Sequence, residues 1–515
     1  MWTTLKRCQA IGVFKTLGLL VVAFLILQLP GGVMNAAPAS KVLTVLVPAE
    51  FPHLDPGETV SGDQYMLKYH IFNRLFTFNE KMEPFPDLVT KESLSKDGTT
   101  WTFDLRAGVK FHDGTLLNAE AVKYTIERLQ KGTGNQKALY TMIKEVQAVS
   151  ETRVLITTNG LFPALRNNLA HPDAGIVPPS ADQKLGKLFG KQPVGAGPYK
   201  FSEWLTGDHI TVVRNDQYYG PKPYFEKIDF KFVSDATTRT LMLDTGQTDV
   251  ALRVPPNDVA RLKANPSIKI DQVLGRNIYF ALNQTKPPFN DIRVRKAVNY
   301  AVDKQAICDR VLFGAAKPSH SFVEAVQGTI DAGFYAYDPE KAKSLIKEAG
   351  ATGAKVVLVT PTTRYMLDSE VSQAVAGYLR QAGLDVEVRA FGDWPSCIDT
   401  VRRGEFHMHM LGWGGSTGDP DNAFRIQLHS NNAGKLWNAG SYRNPKVDSL
   451  IEEGSKEFDL SKRAKIYAEI QKTAWDDAPW LFLHRLSIYI AYKSDIQGTK
   501  ILPGTEMPYF WLAQR

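Results

Sequence analysis

LGWGGSTGDPDNAF spans Leu411–Phe424, and the role of its serine decides which fold the chain can have. Gly414-Gly415-Ser416-Thr417-Gly418 matches G-x-S-x-G, the strand-to-helix elbow that exposes a nucleophilic serine on a hydrolase sheet. In that elbow the serine runs straight into a helix. Here Asp419-Pro420 follows at once, and proline pushes the residue before it towards extended backbone. The helix can begin only at Pro420, with Asp419 as its cap, so Ser416 stands in a loop ahead of it. A base would have to be His484, with Asp448 or Asp459 between them in the hydrolase order, but His484 lies in an apolar strand pattern. No HGG-type oxyanion segment precedes the loop. The same residues suit a loop that holds a molecule without changing it. Gly412, Gly414, Gly415 and Gly418 let main-chain groups approach a ligand closely. Trp413 offers a flat wall, and Ser416, Thr417 and Asp419 offer short polar contacts, a mixture fitted to a cleft between domains. A plain surface turn with Trp413 in the core is the simpler alternative.

Upstream, FHMHMLGW reads as the strand that delivers this loop. Before it the pattern runs helix, strand, helix, strand: YDPEKAKSLIKEAG with Asp338 as N-cap and Gly350 as stop, VVLVT, a helix opened by Ser369, then LDVEVRAF. That alternation is an α/β signature. Asp291 and Asp303 are further helix caps, and GRNIYFALNQ is a buried strand leading out to Lys286-Pro287-Pro288, a natural domain crossing. WLFLHRLSIYIAY is a late strand that returns the chain to the first domain. Near the start, KVLTVLVPA is a strand and QYMLKYHIFNRLF a helix with His70 and Asn73 at the core edge. TTWTFDLRAGVKFHDG reads as a hairpin turning at Ala107-Gly108, followed by a helix capped by Asn118.

The first 39 residues have the layout of a cleavable export signal: basic Lys6, Arg7 and Lys15, the apolar run Leu17–Leu29, then Ala37-Pro38-Ala39. The run is short of the ~20 residues that a membrane span needs. The chain beyond it is too long for one small core, so several domains are expected. The net charge of +7 becomes milder once the signal is removed, and the remaining basic residues are interspersed with acids, which excludes a nucleic-acid surface. Cys308 and Cys397 are free to pair in an oxidising compartment. His407 and His409, two apart on a strand with Glu405 near, are read as packing residues, with no metal assigned.

Several blocks in a fixed order resemble the family 5 extracellular solute-binding proteins of ABC transporters, the dipeptide-, oligopeptide-, nickel- and glutathione-binding group. They include LDPGETVSGDQYMLKYHIFNRLFTFN, SKDGTTWTFDLRAGVKFHDGTLLNAEAVKYTIERL, VGAGPYKFSEW, PPFNDIRVRKAVNYAVDKQAICDRVLFGAAKP and LGWGGSTGDPDNAF. The resemblance implies an α/β, two-lobed periplasmic-binding-protein fold (type II, cluster C-like) with an additional subdomain inserted in lobe I. Lobe I would be 40–282, its inserted subdomain about 79–197, lobe II 283–485, and 486–515 the return to lobe I. It implies a periplasmic monomer, without cofactor or catalysis, that closes around a short peptide or peptide-like solute and hands it to the permease subunits of an ABC importer.

By the same resemblance Trp413, Gly415, Ser416, Thr417, Asp419, Arg364, Ser61 and Gly62 line the ligand. Peptide binders hold the ligand amine with an aspartate where this chain has Ser416, a departure that matters because a neutral hydroxyl is a weak ammonium partner. It leaves open a sugar conjugate, an opine or a nickel chelate. Arg364 falls near the place of the arginine that holds a dipeptide's carboxylate, and Ser61 and Gly62 fall in a lobe I loop facing the ligand.

Overall fold

Two long strands, Ile268–Leu282 and Trp480–Lys493, lie antiparallel and carry the architecture of the computed structural model. The model describes residues 41–58, 62–132, 134, 137–323, 329–362, 364–503, 506 and 508–515. The pair forms the diagonal of an eleven-stranded sheet. On one side Ile268–Leu282 pairs with Met408–Trp413, then Lys355–Pro361 and Asp385–Phe391 follow. On the other side Trp480–Lys493 pairs with the short Val250–Ala251, then Val42–Val47, Lys227–Phe232, His209–Arg214 and Tyr199–Leu205 follow. Ala316–Pro318 also pairs with Trp480–Lys493. Nearly every residue of Trp480–Lys493 is buried, as its unbroken apolar run requires of a central strand.

The ladder between the two long strands is interrupted twice, at Leu274/Asn277 and again at Ile278/Tyr279, and the first break shapes the site. Leu274 faces Ser487 and Asn277 faces Arg485, so Gly275 and Arg276 stand opposite Leu486 alone. Two residues against one is a β-bulge, which bends a strand and re-aims its side chains. A Cβ on Gly275 would come within 2.5 Å of the Glu506 carboxylate, so the position tolerates only glycine as the carboxylate now stands.

A separate four-stranded antiparallel sheet comprises Val89–Leu94, Thr100–Leu105, Arg153–Thr158 and Ile143–Ser150. Trp101, Phe103 and Leu105 share one apolar core with Val122 and Ile126 of helix Ala119–Lys131, whose cap is Asn118 accepting from the Ala121 N–H at 3.1 Å. The caps at Asp291, Asp303 and Asp338 form as the sequence suggests.

Three expectations change. The helix over QYMLKYHIFNRLF covers only Tyr65–Ile71. Phe72 turns extended, and Gly195 and Gly197 pack on the Ile71 carbonyl, where a Cβ would lie 2.0 and 2.7 Å from its oxygen. His70 is wholly interior: its Nδ1 bonds the Met66 carbonyl, and its Nε2 accepts from the Phe510 N–H at 2.9 Å. The hairpin expected across Ala107-Gly108 is not formed, because Thr100–Leu105 pairs instead with Val89–Leu94 and Arg153–Thr158. Cys308 and Cys397 are both buried, free thiols.

Candidate functional site

The bulge opens onto a cavity of about 390 Å³, lined from both halves of the sheet. Arg253 and Val254 come from beside Val250–Ala251, Arg276 and Leu486 from the bulge, and Arg364 and Tyr365 from the loop after Lys355–Pro361. Arg276 owes its position to the bulge: Glu506, only 3% exposed, accepts from its backbone N–H, from Nε at 3.0 Å and from Nη2 at 2.8 Å. Burial opposes the Arg276 charge, but the Glu506 carboxylate outweighs it and holds the guanidinium protonated more firmly than usual. Arg253 pairs with Asp63.

Arg364 differs. Its guanidinium lies over the Trp394 ring at 4.0 Å and has no carboxylate within ion-pair distance among the described residues. Its loop is pinned by Asp368, which accepts from the Arg364 and Tyr365 N–H groups at 3.0 Å. Arg253 Nε, Arg364 Nε and the Tyr365 hydroxyl are buried atoms without hydrogen-bond partners in the structure. A buried donor left unmade costs about 1–3 kcal/mol, so the cavity wall presents three donors suited to an acceptor-rich molecule. Three guanidinium groups line it against one carboxylate, Glu506, which is already paired with Arg276.

A larger open groove of about 770 Å³ lies beside Tyr199–Leu205. At its wall Lys191 lies over the Trp204 ring at 3.5 Å and Trp204 Nε1 donates to Glu50 at 2.7 Å.

The glycine-rich loop adjoins the 390 Å³ cavity without lining it. Gly412 touches its back: a Cβ there would meet Tyr365 at 2.8 Å and Arg276 at 3.0 Å. Trp413 ends its strand opposite Asn277 and sets its ring edge on Trp437 at 5.2 Å. The Gly418 N–H donates to the Gly415 carbonyl at 2.9 Å, closing a turn with Ser416 and Thr417 at its corners. The Ser416 hydroxyl is half-buried and bonds to nothing among the described residues, while His484 sits inside the sheet opposite Ile278. The Thr417 hydroxyl donates to the Asp419 carbonyl at 2.8 Å. Asp419 is committed to Arg463, at 2.5 and 3.1 Å, and to the Asp421 N–H at 2.9 Å. The helix then starts at Asp421, one residue later than expected. Ser61 lies outside the described residues. Gly62 opens the short turn Gly62–Gln64, beside the Asp63 that pairs with Arg253.

The loop instead meets the four-stranded region. Asn167 Nδ2 donates to the Thr417 carbonyl at 3.0 Å, and Gly418, at φ +63°, lies where a Cβ would come within 2.2 Å of the Met82 carbonyl. Gly418→Ala is therefore expected to force this apposition apart, raising the radius of gyration in small-angle scattering and weakening ligand binding about tenfold (~1.4 kcal/mol); an unchanged scattering profile would contradict it.

His407 and His409 do not converge. His407 Nδ1 accepts from the Val357 N–H at 3.0 Å, His409 is buried against Phe406, and no metal-binding group of three occurs among the described residues. Of the residues expected at the ligand, the cavity contains Arg364. Arg253, Arg276, Tyr365 and Glu506 went unread, and their one sequence signal is Gly275 inside a strand pattern, which marks a bulge.

Residues 83–435 match the family model for bacterial extracellular solute-binding proteins, family 5. The chain belongs to this family. The glutathione-binding protein GsiB of Pectobacterium atrosepticum is 31% identical over 491 residues, 92% of this chain and 94% of the relative. Two solved structures are similar throughout. DppA of Helicobacter pylori, determined with the peptide STSA, gives a TM-score of 0.79 at 25% identity over 91% of this chain and 98% of that one. AgaA, determined with agropinic acid, from A. tumefaciens R10, gives 0.79 at 27% identity over 90% and 96%. The fold of this family-5 chain is the two-lobed type II binding-protein fold, and it serves as the solute-binding component of an ABC import system. No helix among the described residues is long and apolar enough to cross a membrane.

Proposed function

We propose that this family-5 protein captures a short acidic peptide or peptide-like acid in the cavity at the bulge, with a ligand carboxylate on Arg364. The observation that carries the reading is the unpaired Arg364 guanidinium among donors that lack acceptors. A carboxylate there makes charge-assisted hydrogen bonds, about twice as strong as neutral ones. The ligand named for GsiB, glutathione, carries two carboxylates, which accords with this. A second reading, an opine-like conjugate, is favoured by the loop: Ser416 is neutral and Asp419 is already paired, so neither offers a free carboxylate to a ligand amine. AgaA's agropinic acid is of that kind.

In this reading lobe I is 40–282 with 486–515, its inserted part about 79–197, and lobe II is 283–485. The broken ladder at Gly275-Arg276 and the separate four-stranded sheet support that division. Closure is a hinge motion biased by ligand contacts to both lobes. The protein is exported through residues 1–39, acts as a periplasmic monomer, and meets the permease subunits when closed.

Native mass spectrometry of protein purified from its own host should show a co-purified acid, and titration calorimetry with glutathione and with an opine assigns the class. Arg364→Gln should weaken the bound ligand by about 1.5–3 kcal/mol, on the order of 10- to 150-fold, with the melting temperature unchanged; full affinity in that variant would refute the site. No chemistry is performed on the solute. Ser416→Ala should keep affinity within a few-fold, and neither form should hydrolyse a generic ester. Turnover lost with the hydroxyl would make the protein a hydrolase.

A further inference from the structure

A second cavity, of about 260 Å³, lies away from the bulge, where the end of helix Tyr65–Ile71 meets the loop at Tyr218-Tyr219 and the tail at Tyr509 and Trp511. Its floor is unusual in charge. Arg74 is 4% exposed, yet it has no carboxylate within ion-pair distance among the described residues. Its Nη1 donates to the Phe72 carbonyl at 3.3 Å and its Nη2 to the Thr77 hydroxyl at 3.2 Å, both neutral acceptors. The one acid at hand, Asp87, is spent elsewhere: it accepts from the Arg74 backbone N–H at 2.9 Å, from Asn73 Nδ2 at 3.0 Å and from the Tyr219 hydroxyl. A buried cation without a counter-charge is costly.

Three polar atoms of this floor are buried without partners in the structure: Arg74 Nε, the Tyr69 hydroxyl and Asn73 Oδ1. Their residues are 4, 5 and 3% exposed and all line the cavity. A second guanidinium, Arg106, lies over the Tyr219 ring at 4.8 Å at the rim. The walls are aromatic. Tyr69 and Tyr509 are 5.8 Å apart between ring centroids, and Tyr509 stacks towards Trp511 at 6.3 Å.

We infer that this cavity is an accessory binding site for a small aromatic carboxylate, its carboxyl on Arg74 Nε and the Tyr69 hydroxyl and its ring among Tyr69, Tyr509 and Trp511. Two guanidinium groups against one committed acid set the sign of the ligand. The volume, below the ~300–1,000 Å³ of pockets for drug-sized ligands, sets its size at a single ring. Ring faces and edges on the wall set its planarity. Nothing in it depends on what the cavity at the bulge binds.

The test uses 4-fluorobenzoate as probe, followed by ¹⁹F NMR on the full chain. Saturable binding is expected, displaced by benzoate and at least tenfold more weakly by neutral benzamide. Tyr69→Phe should weaken it three- to tenfold and Arg74→Lys more than tenfold; Arg106→Gln, at the exposed rim, should weaken it two- to fivefold and serves if Arg74→Lys does not fold. Arg364→Gln should leave it within twofold. No saturable binding, equal affinity for benzamide, or loss in Arg364→Gln with Tyr69→Phe intact would each overturn the proposal.

Discussion

Arg463→Met is expected to lower the unfolding free energy by about 3–5 kcal/mol, the range for removing one partner of a buried ion pair. Arg463 and Asp419 have side chains 5% and 3% exposed and meet through two hydrogen bonds. Methionine fills much of the arginine's volume, so the loss comes from the Asp419 carboxylate, left charged in a site from which water is excluded. Arg463 Nε also donates to the Gly454 carbonyl at 3.0 Å, an acceptor that is orphaned at the same time. The double variant with Asp419→Asn should recover at least half of the loss, because the amide oxygen can still receive the Asp421 N–H. Calorimetric and urea unfolding of the two variants make the comparison; a single variant within about 1 kcal/mol of the parent would show that the pair contributes little.

Acid should destabilise the protein between pH 6.5 and about 4. His70, His171, His409 and His484 are at most 1% exposed. Burial, the largest influence on each, pulls His70 and His171 down to about 4 and His409 and His484 to about 3. Their ordinary value is 6.5, so the unfolded chain binds protons that the folded chain refuses, and stability falls as pH drops below 6.5. At pH 5.5 each group removes roughly 1.4 kcal/mol, and four acting independently set a ceiling near 5–6 kcal/mol. Asp421 acts oppositely: burial raises it to about 6, so its protonation in the folded state returns roughly 1 kcal/mol at pH 5.5 and about 2 at pH 4.5, less than the histidines remove. Urea midpoints at pH 7.5, 6.5, 5.5 and 4.5 should decline steadily below 6.5; a flat profile to pH 5 would contradict the account.

What the sequence discloses here is local chemistry. Asn118, Asp291 and Asp338 betray their helices because a cap is satisfied within three residues. The placement of Ser416 ahead of a helix follows from Asp419-Pro420 alone. Misreadings arise where a distant segment decides. The helix after Tyr65 stops at Ile71 because glycines more than a hundred positions away press on its last carbonyl. Thr100–Leu105 takes Arg153–Thr158, not the segment after Ala107-Gly108, as its partner on the side away from Val89–Leu94. The site is harder still: Arg276 is held by Glu506 from 230 positions away and Asp419 by Arg463 from 44, distances over which no periodicity or spacing speaks. Arg364 became visible only through family likeness.

The interleaving of the two chain ends in one sheet has a consequence for biosynthesis. Val250–Ala251 is wedged between Val45–Leu46, near the beginning, and Ala491–Tyr492, near the finish. The Phe510 amide reaches back 440 positions to His70, and Arg515 reaches Asp249. A ribosome delivers these partners last. Until Ala491–Tyr492 has been made, Val250–Ala251 lacks its second neighbour, so the large sheet closes only after that strand is synthesised.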